Sequence, residues 1–260
     1  MKESLRWSAE TPTLQIPFSI LAVMSTILPG LGCYACIAYS FLFQFDRVQN
    51  FTIPDCPNIH SDLPPISYSI GEWEPQRMLW LIVILVHFPP RLLLCFLYPQ
   101  VWPLGLGRSI QSPLVLIEAV ALACITVFHV DSVFGFHLHA FFFATWAFST
   151  NANMLTNIDM QRKTGLRDSL PFFGRTYFIK FIIFVFFSLC CVGTVILFPI
   201  AKHYCSSLAY TAFSVSEYSL VGLNSAFWAV ALYEVHREFS SIRLTAIRHK
   251  RPKTPKGGFI

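Results

Sequence analysis

At 260 residues, 54% hydrophobic and only 13% charged, the chain carries about half the charge of a soluble domain, in which about a quarter of residues are charged. That deficit excludes an ordinary soluble fold and points to a lipid-embedded one. The net charge of +5 argues no nucleic-acid role. It reads as basic flanks of apolar runs plus a basic tail that can lie on anionic lipid.

About 20 apolar residues cross the roughly 30 Å of hydrocarbon in a bilayer. Runs of that kind predict helices over about 16–44, 78–98, 113–131, 133–153, 178–200 and 209–235. The first, IPFSILAVMSTILPGLGCYACIAYSFLF, is too long for a cleaved signal peptide. Its flank carries acids and no small-residue cleavage site follows it. Its Cys33 and Cys36 read as packing residues. The polar stretch CPNIHSDLPPISYSIGEWEPQR (56–77) comes next. The second helix carries Pro89-Pro90, which remove backbone donors and predict a kink with a polar cavity beside His87. The third and fourth helices form a tight hairpin at Asp131-Ser132.

The expected architecture is an all-α, polytopic membrane helix bundle of about six transmembrane helices. It forms one domain, 1–236, with a loop at 45–77 and a basic tail at 237–260. Positive charge in short loops marks the cytosolic side. Lys2 and Arg6, then Arg162, Lys163, Arg167 and Arg175, and then the tail all fall on one side of a six-helix path. The other side carries Arg47, Arg77 and Lys202 against five acids, Asp46, Asp55, Asp62, Glu72 and Glu74. Both termini are therefore expected in the cytosol and the 45–77 loop in the lumen or outside the cell.

That oxidising side holds Cys56 and Cys205, a candidate disulfide. It also holds the sequon Asn50-Phe51-Thr52, a candidate glycosylation site, close to the end of the first helix.

Ionisable groups in hydrocarbon are costly, so they pack against each other or serve a site. At about 1.5 Å per residue, His87 and Glu217 lie about 13 and 12 Å below the lumenal surface, with His137 one turn in. Arg91 and Asn224 lie about 19 and 22 Å deep, and Glu118 about 8 Å from the cytosolic face. Two layers result: His87, His137 and Glu217 above, and Arg91, Glu118 and Asn224 below. The layers read as helix–helix glue, as a headgroup pocket, or as an acid/base site in which Glu217 polarises His87. Those two residues are the catalytic candidates. Arg77, His87, His137 and Glu217 are the headgroup-binding candidates. His137-Leu138-His139 is not expected to bind metal, because residues two apart on a helix face different ways. No soluble catalytic, nucleotide or zinc motif is present, and no cofactor is expected.

The segment Cys56, LPPISYSIG (63–71), EPQR (74–77) and HFPPR (87–91) resembles the Frag/DRAM/Sfk group of membrane proteins, most nearly its post-GPI-attachment branch. VLIEAVAL with Glu118, FGFHLHAF with His137, and YCSSLAYTAFSVSEYSLVGLNSAF with Cys205, Glu217, Tyr218 and Asn224 extend the likeness over nearly the whole chain. The extra proline in LPPIS and a short loop between the second and third helices depart from the pattern. The resemblance implies a multi-pass protein of the Golgi or endoplasmic reticulum. It would act in lipid remodelling of glycosylphosphatidylinositol (GPI) anchors and support reacylation with a saturated chain, either as the acyltransferase or as its membrane partner. Membrane lipids, GPI-anchored proteins and a membrane partner protein would be its contacts. The loop after Cys56 would cap the bundle and hold a headgroup, with Ile66, Tyr68, Ile70 and Trp73 at the membrane interface. A scaffold or trafficking regulator is the competing reading. Without inverted repeats or broken helix pairs, a transporter is not favoured.

Overall fold

The computed structural model describes residues 13–53, 56–60, 63–103, 105–130, 135–238 and 241–245. Lys2, Arg6, Asp55, Asp62, the Asp131-Ser132 turn and the tail beyond 245 lie outside the described residues. The chain runs β1 (Thr13–Pro17), α1 (Phe18–Phe43), α2 (Phe45–Gln49), β2 (Thr52–Ile53), β3 (Cys56–His60), α3 (Ile66–Gly71) and α4 (Gln76–Leu97). It continues through α5 (Leu106–Val127), α6 (Gly135–Lys163), α7 (Leu166–Ser169), α8 (Pro171–Tyr204), α9 (Ser207–Glu238) and β4 (Ser241–Thr245). The architecture is helical, as composition requires. Two small antiparallel ribbons, β1 with β4 and β2 with β3, were not legible in it.

Among the described residues, four helices are long and apolar enough to cross a membrane: α1, α4 with its 3₁₀ extension to Gln100, α5 and α8. The other two long helices, α6 and α9, fall short of that apolarity. They carry the polar side chains of the bundle interior: Asn153, Asn157, Gln161, Ser214, Glu217 and Glu234 are all buried. α8 has the opposite character, with Phe181, Phe186, Leu189, Val192, Val195 and Ile196 exposed. That surface suits lipid.

Helix boundaries depart from the sequence reading in a consistent way. The third helix begins at Leu106 rather than 113, so Pro113 lies inside it. α6 runs ten residues beyond 153, and α8 starts at Pro171 instead of 178. Hydropathy marks where side chains meet lipid, whereas a helix persists wherever one face stays buried. In α6 that face is Asn153, Asn157 and Gln161, spaced four apart. α4 continues through Pro89-Pro90. Within α1, Val23–Ile27 is a π-turn, and its carbonyls take bonds from α4. Met24 O accepts from a His87 ring nitrogen at 3.3 Å, and Ser25 O from Arg91 at 3.4 Å.

α1 and α9 approach closely where side chains are small. A Cβ on Gly30 would come within 2.5 Å of Ser225 Oγ, and one on Gly222 would collide with the Tyr34 hydroxyl. With β1 paired to β4, both ends of the described chain lie on one face of the bundle. The opposite face gathers the described residues between 44 and 75, residues 128–130 after α5, and the α8–α9 turn. There the Cys56–Cys205 disulfide, with Cα atoms 5.6 Å apart, ties β3 to the turn.

Near the terminal face, α6, α8 and α9 share a buried polar network that the sequence reading did not single out. Lys180 Nζ donates to Glu234 Oε2 at 2.7 Å and to Asn157 Oδ1 at 2.9 Å. Gln161 Nε2 donates to Glu234 Oε1 at 3.2 Å, and the Asn157 amide meets the Tyr98 hydroxyl. Lys180 has no exposed surface. The sequence signal was present: a lysine and a glutamate in neighbouring helices, beside an i, i+4 polar stripe.

Breaking a buried ion pair on one side costs about 3–5 kcal/mol, while an apolar replacement of both partners is near neutral. Lys180→Met is therefore expected to destabilise the protein by about that amount, and Lys180→Met with Glu234→Leu to recover most of it, read by unfolding in detergent. Cys205→Ser is expected to lose about 2–5 kcal/mol by the same measurement, with reduction of the wild type matching it.

Candidate functional site

On the loop face, the segment Leu63-Pro64-Pro65-Ile66-Ser67 is held to α9 by its backbone. Pro65 (φ −58°, ψ 149°) is extended and closes off any helix before it, and α3 begins at once with Ile66. Ile66 N–H donates to Glu217 Oε2 at 3.1 Å, and the Tyr218 hydroxyl donates to Pro64 O at 3.0 Å. Tyr34 of α1 donates in turn to the Tyr218 carbonyl at 2.7 Å. Ile66, Ile70 and Trp73 are buried. They face the bundle rather than a membrane interface, because α3 lies on the helices and not beside them.

This clamp sets Ser67. Its hydroxyl lies 3.1 Å from His139 Nε2, and it faces the Glu217 carboxyl as well. The other ring nitrogen, His139 Nδ1, lies 2.8 Å from Phe128 O. A carbonyl only accepts, so Nδ1 carries the proton of the neutral ring, and Nε2 is left to accept the Ser67 proton. His139 is buried, at 6% exposure. Nearby, Arg77 donates to His129 Nε2 at 3.3 Å, which leaves His129 Nδ1 to donate to Glu72 Oε1 at 2.6 Å.

Ser67 and His139 line two cavities at once. The larger, about 850 Å³, is a slot between α6 and α8 that reaches Glu217 on α9. It falls within the roughly 300–1,000 Å³ of small-molecule sites. Along α6 it runs from His137 to Asn151, and along α8 from Lys202 to Ser188. Fourteen residues of helix make about 21 Å. Its walls are mainly apolar, among them Phe143, Phe148, Val195 and Phe198. Phe148 and Val195 are 75% and 73% exposed, so the slot opens sideways onto the apolar surface. Its loop-face end carries Ser67, His137, His139, Lys202 and Glu217, and the Asn151–Ser188 hydrogen bond of 2.7 Å closes its far end. The smaller cavity, about 80 Å³, lies inside the bundle and is lined on its polar side by His87, Arg91, Glu118 and Asn224.

Arg91, Glu118 and Asn224 come together. Glu118 Oε1 accepts from Arg91 at 2.5 Å, Asn224 at 3.0 Å and Trp228 at 3.2 Å, and the Arg91 guanidinium stacks over the Trp228 ring at 3.8 Å. Glu118 Oε2 has no hydrogen-bond partner among the described residues. His87, His137 and Glu217 do not meet. His87 faces the inner cavity and caps a carbonyl of the π-turn, so Glu217 cannot polarise it. His137 is exposed at the mouth of the slot. Depth counting gave the level of each residue and not its azimuth, and the histidine two residues on is the one turned inward. Asn50 is exposed, and its amide donates to Asp46 O at 2.8 Å. Ser67 and His139 were missed as a pair, although both stand in motif stretches singled out above.

A helical bundle with exposed apolar helices, a buried charge network and a slot that is apolar along its walls and polar at one end has the build of a membrane protein. The family described as the Frag1/DRAM/Sfk1/Cwh43P N-terminal domain matches residues 17–237, and the chain belongs to it. It is similar to "Post-GPI attachment to proteins factor 2" of Drosophila melanogaster, 26% identical over 233 residues, covering 85% of this chain and 87% of that one. Similarity to the Caenorhabditis elegans protein of that name is 27% over 235 residues, covering 86% and 87%. "Acyltransferase PGAP2" of Xenopus tropicalis is 26% identical over 224 residues, covering 84% and 87%. No solved structure matches the chain.

If Glu217 holds the motif segment, Glu217→Leu is expected to raise deuterium uptake across 63–71 by at least tenfold in rate, with the peptides of α8 unchanged. Equal uptake in variant and wild type would show that the segment is held elsewhere.

Proposed function

We propose that the protein is a GPI-anchor lipid remodelling factor that supports fatty-acid reacylation of GPI-anchored proteins in the secretory pathway. The names of its relatives point to that chemistry, and the slot is the observation that carries it. An acyl chain occupies one leaflet, about half of the roughly 30 Å hydrocarbon. A slot of about 21 Å, apolar along its walls and polar at its loop-face end, suits one chain with its ester at the polar end. The side opening suits entry from the bilayer without passage through water.

In this reading six helices cross the membrane, α6 and α9 included, because their polar faces are turned inward. Both termini are cytosolic, as the basic residues beside the terminal face favour. The loop at 45–77 is lumenal, where GPI anchors are displayed, and the oxidising lumen suits the disulfide. The membrane is that of the Golgi or the endoplasmic reticulum. His137 and Lys202 at the mouth, with Arg77 on the same face, meet an anionic headgroup. Glu217 positions the motif segment, and His87 belongs to the packing of α1 on α4. Membrane lipids and GPI-anchored proteins are the partners, alongside a membrane partner protein, and no cofactor is invoked.

Ala144 lines the slot and is exposed there. Ala144→Trp is expected to fill it while leaving the buried core intact. In cells lacking the protein, mass spectrometry of anchor lipids should show lyso or unsaturated forms. Wild type should restore saturated chains, and Ala144→Trp at equal abundance should restore fewer than a tenth. Unchanged anchor lipids on loss of the protein would replace this reading with a scaffold role.

A further inference from the structure

We propose that Ser67 and His139 form an acyl-transfer dyad in which Ser67 carries the acyl chain between donor and acceptor. The inference rests on the reacylation reading and adds to it the residues and the route. Three observations converge. The pair has the geometry of an activated nucleophile: hydroxyl to imidazole at 3.1 Å, with the second ring nitrogen fixed by the Phe128 carbonyl at 2.8 Å. That carbonyl fills the orienting role a carboxylate fills in other dyads and triads. The pair stands at the polar end of the slot, where the carbonyl carbon of a chain lying along it would come to rest. The serine also differs from its neighbour in what it faces, the imidazole and the Glu217 carboxyl. Two residues on, Ser69 is buried and returns its hydroxyl to Pro65 O at 3.4 Å, whereas Ser67 is half-buried and turned to the cavity.

The chemistry closes without oxidant or metal. His139 Nε2 takes the Ser67 proton as Ser67 Oγ attacks the carbonyl of a long-chain ester or thioester. The donor's C–O or C–S bond breaks, and its leaving group takes the proton from His139. A lipid hydroxyl then gives its proton to His139 and attacks the Ser67 ester, and the serine leaves with that proton. The acyl group has moved from one oxygen or sulfur to another, and the dyad is restored. Glu217 is a positioning residue here: it bonds Ile66 N–H, and Ser67 is the next residue.

The test uses the purified full chain in lipid nanodiscs, with labelled stearoyl-coenzyme A in one arm and phosphatidylcholine carrying the same labelled chain in the other. Wild type is expected to gain one acyl group, released by alkaline but not by neutral hydroxylamine, on the peptide containing Ser67, and the arm that labels identifies the donor class. Ser67→Ala should abolish the adduct. His139→Gln should slow its formation about 10²–10⁴-fold. Ser67→Cys should hold a thioester, and Ser219→Ala, whose hydroxyl bonds its own helix at 2.8 Å, should label as wild type. Mapping on wild type stands even if a variant fails to fold. An adduct at another residue, or none in either arm, overturns the dyad. So does Ser67→Ala restoring saturated anchors to wild-type level in cells whose anchors depend on the protein, an outcome that leaves the remodelling reading intact. Anchors indifferent to loss of the protein remove that reading instead.

Discussion

A polar group that cannot reach water must be answered by the chain itself, and this constraint orders the structure. The four most apolar helices supply most of the apolar surface, and partners for the buried charges come from both those helices and α6 and α9. Lys180 has Glu234 and Asn157, and Arg91 has Glu118 and the face of Trp228. The π-turn of α1 displaces carbonyls, and His87 and Arg91 of α4 reach them. Each bond joins one helix to another, so the electrostatic requirement also fixes which helices are neighbours.

The two polar groupings differ in the volume beside them. Arg91, Glu118 and Asn224 are tied together through one carboxylate oxygen and border only the inner cavity of about 80 Å³. Ser67 and His139 bond one another and border the slot of about 850 Å³ as well. The larger volume has room for a bound molecule that could exchange into such a hydrogen bond, and the smaller does not.

Much of this was readable from residues, and the limits have physical causes. Long apolar runs locate helices because lipid contact selects apolar side chains, so the cores of all six were visible. Their ends were not, since α6 persists past 153 on a buried polar face that lowers hydropathy. Depth is linear in residue number, and counting therefore placed Arg91, Glu118 and Asn224 at compatible levels. Azimuth depends on packing: counting chose His137, and the fold turned His139 inward. Ser67 was hidden for another reason. It sits outside the apolar runs, in a segment whose place is set by Glu217 and Tyr218, about 150 residues later in the sequence.

That separation has a consequence for how the protein comes into being. Ile66 and Glu217 are 151 residues apart, and Cys56 and Cys205 are 149 apart. At roughly 5–20 residues per second of synthesis, the motif segment waits about 8–30 s for the helix that holds it. The end of α8 brings the disulfide partner Cys205, but until α9 is made the loop lacks its clamp, and α1 lacks the neighbour against which Gly30 packs. α9 thus completes the clamp on the motif segment, and a chain cut short before it would leave residues 63–67 without that hold.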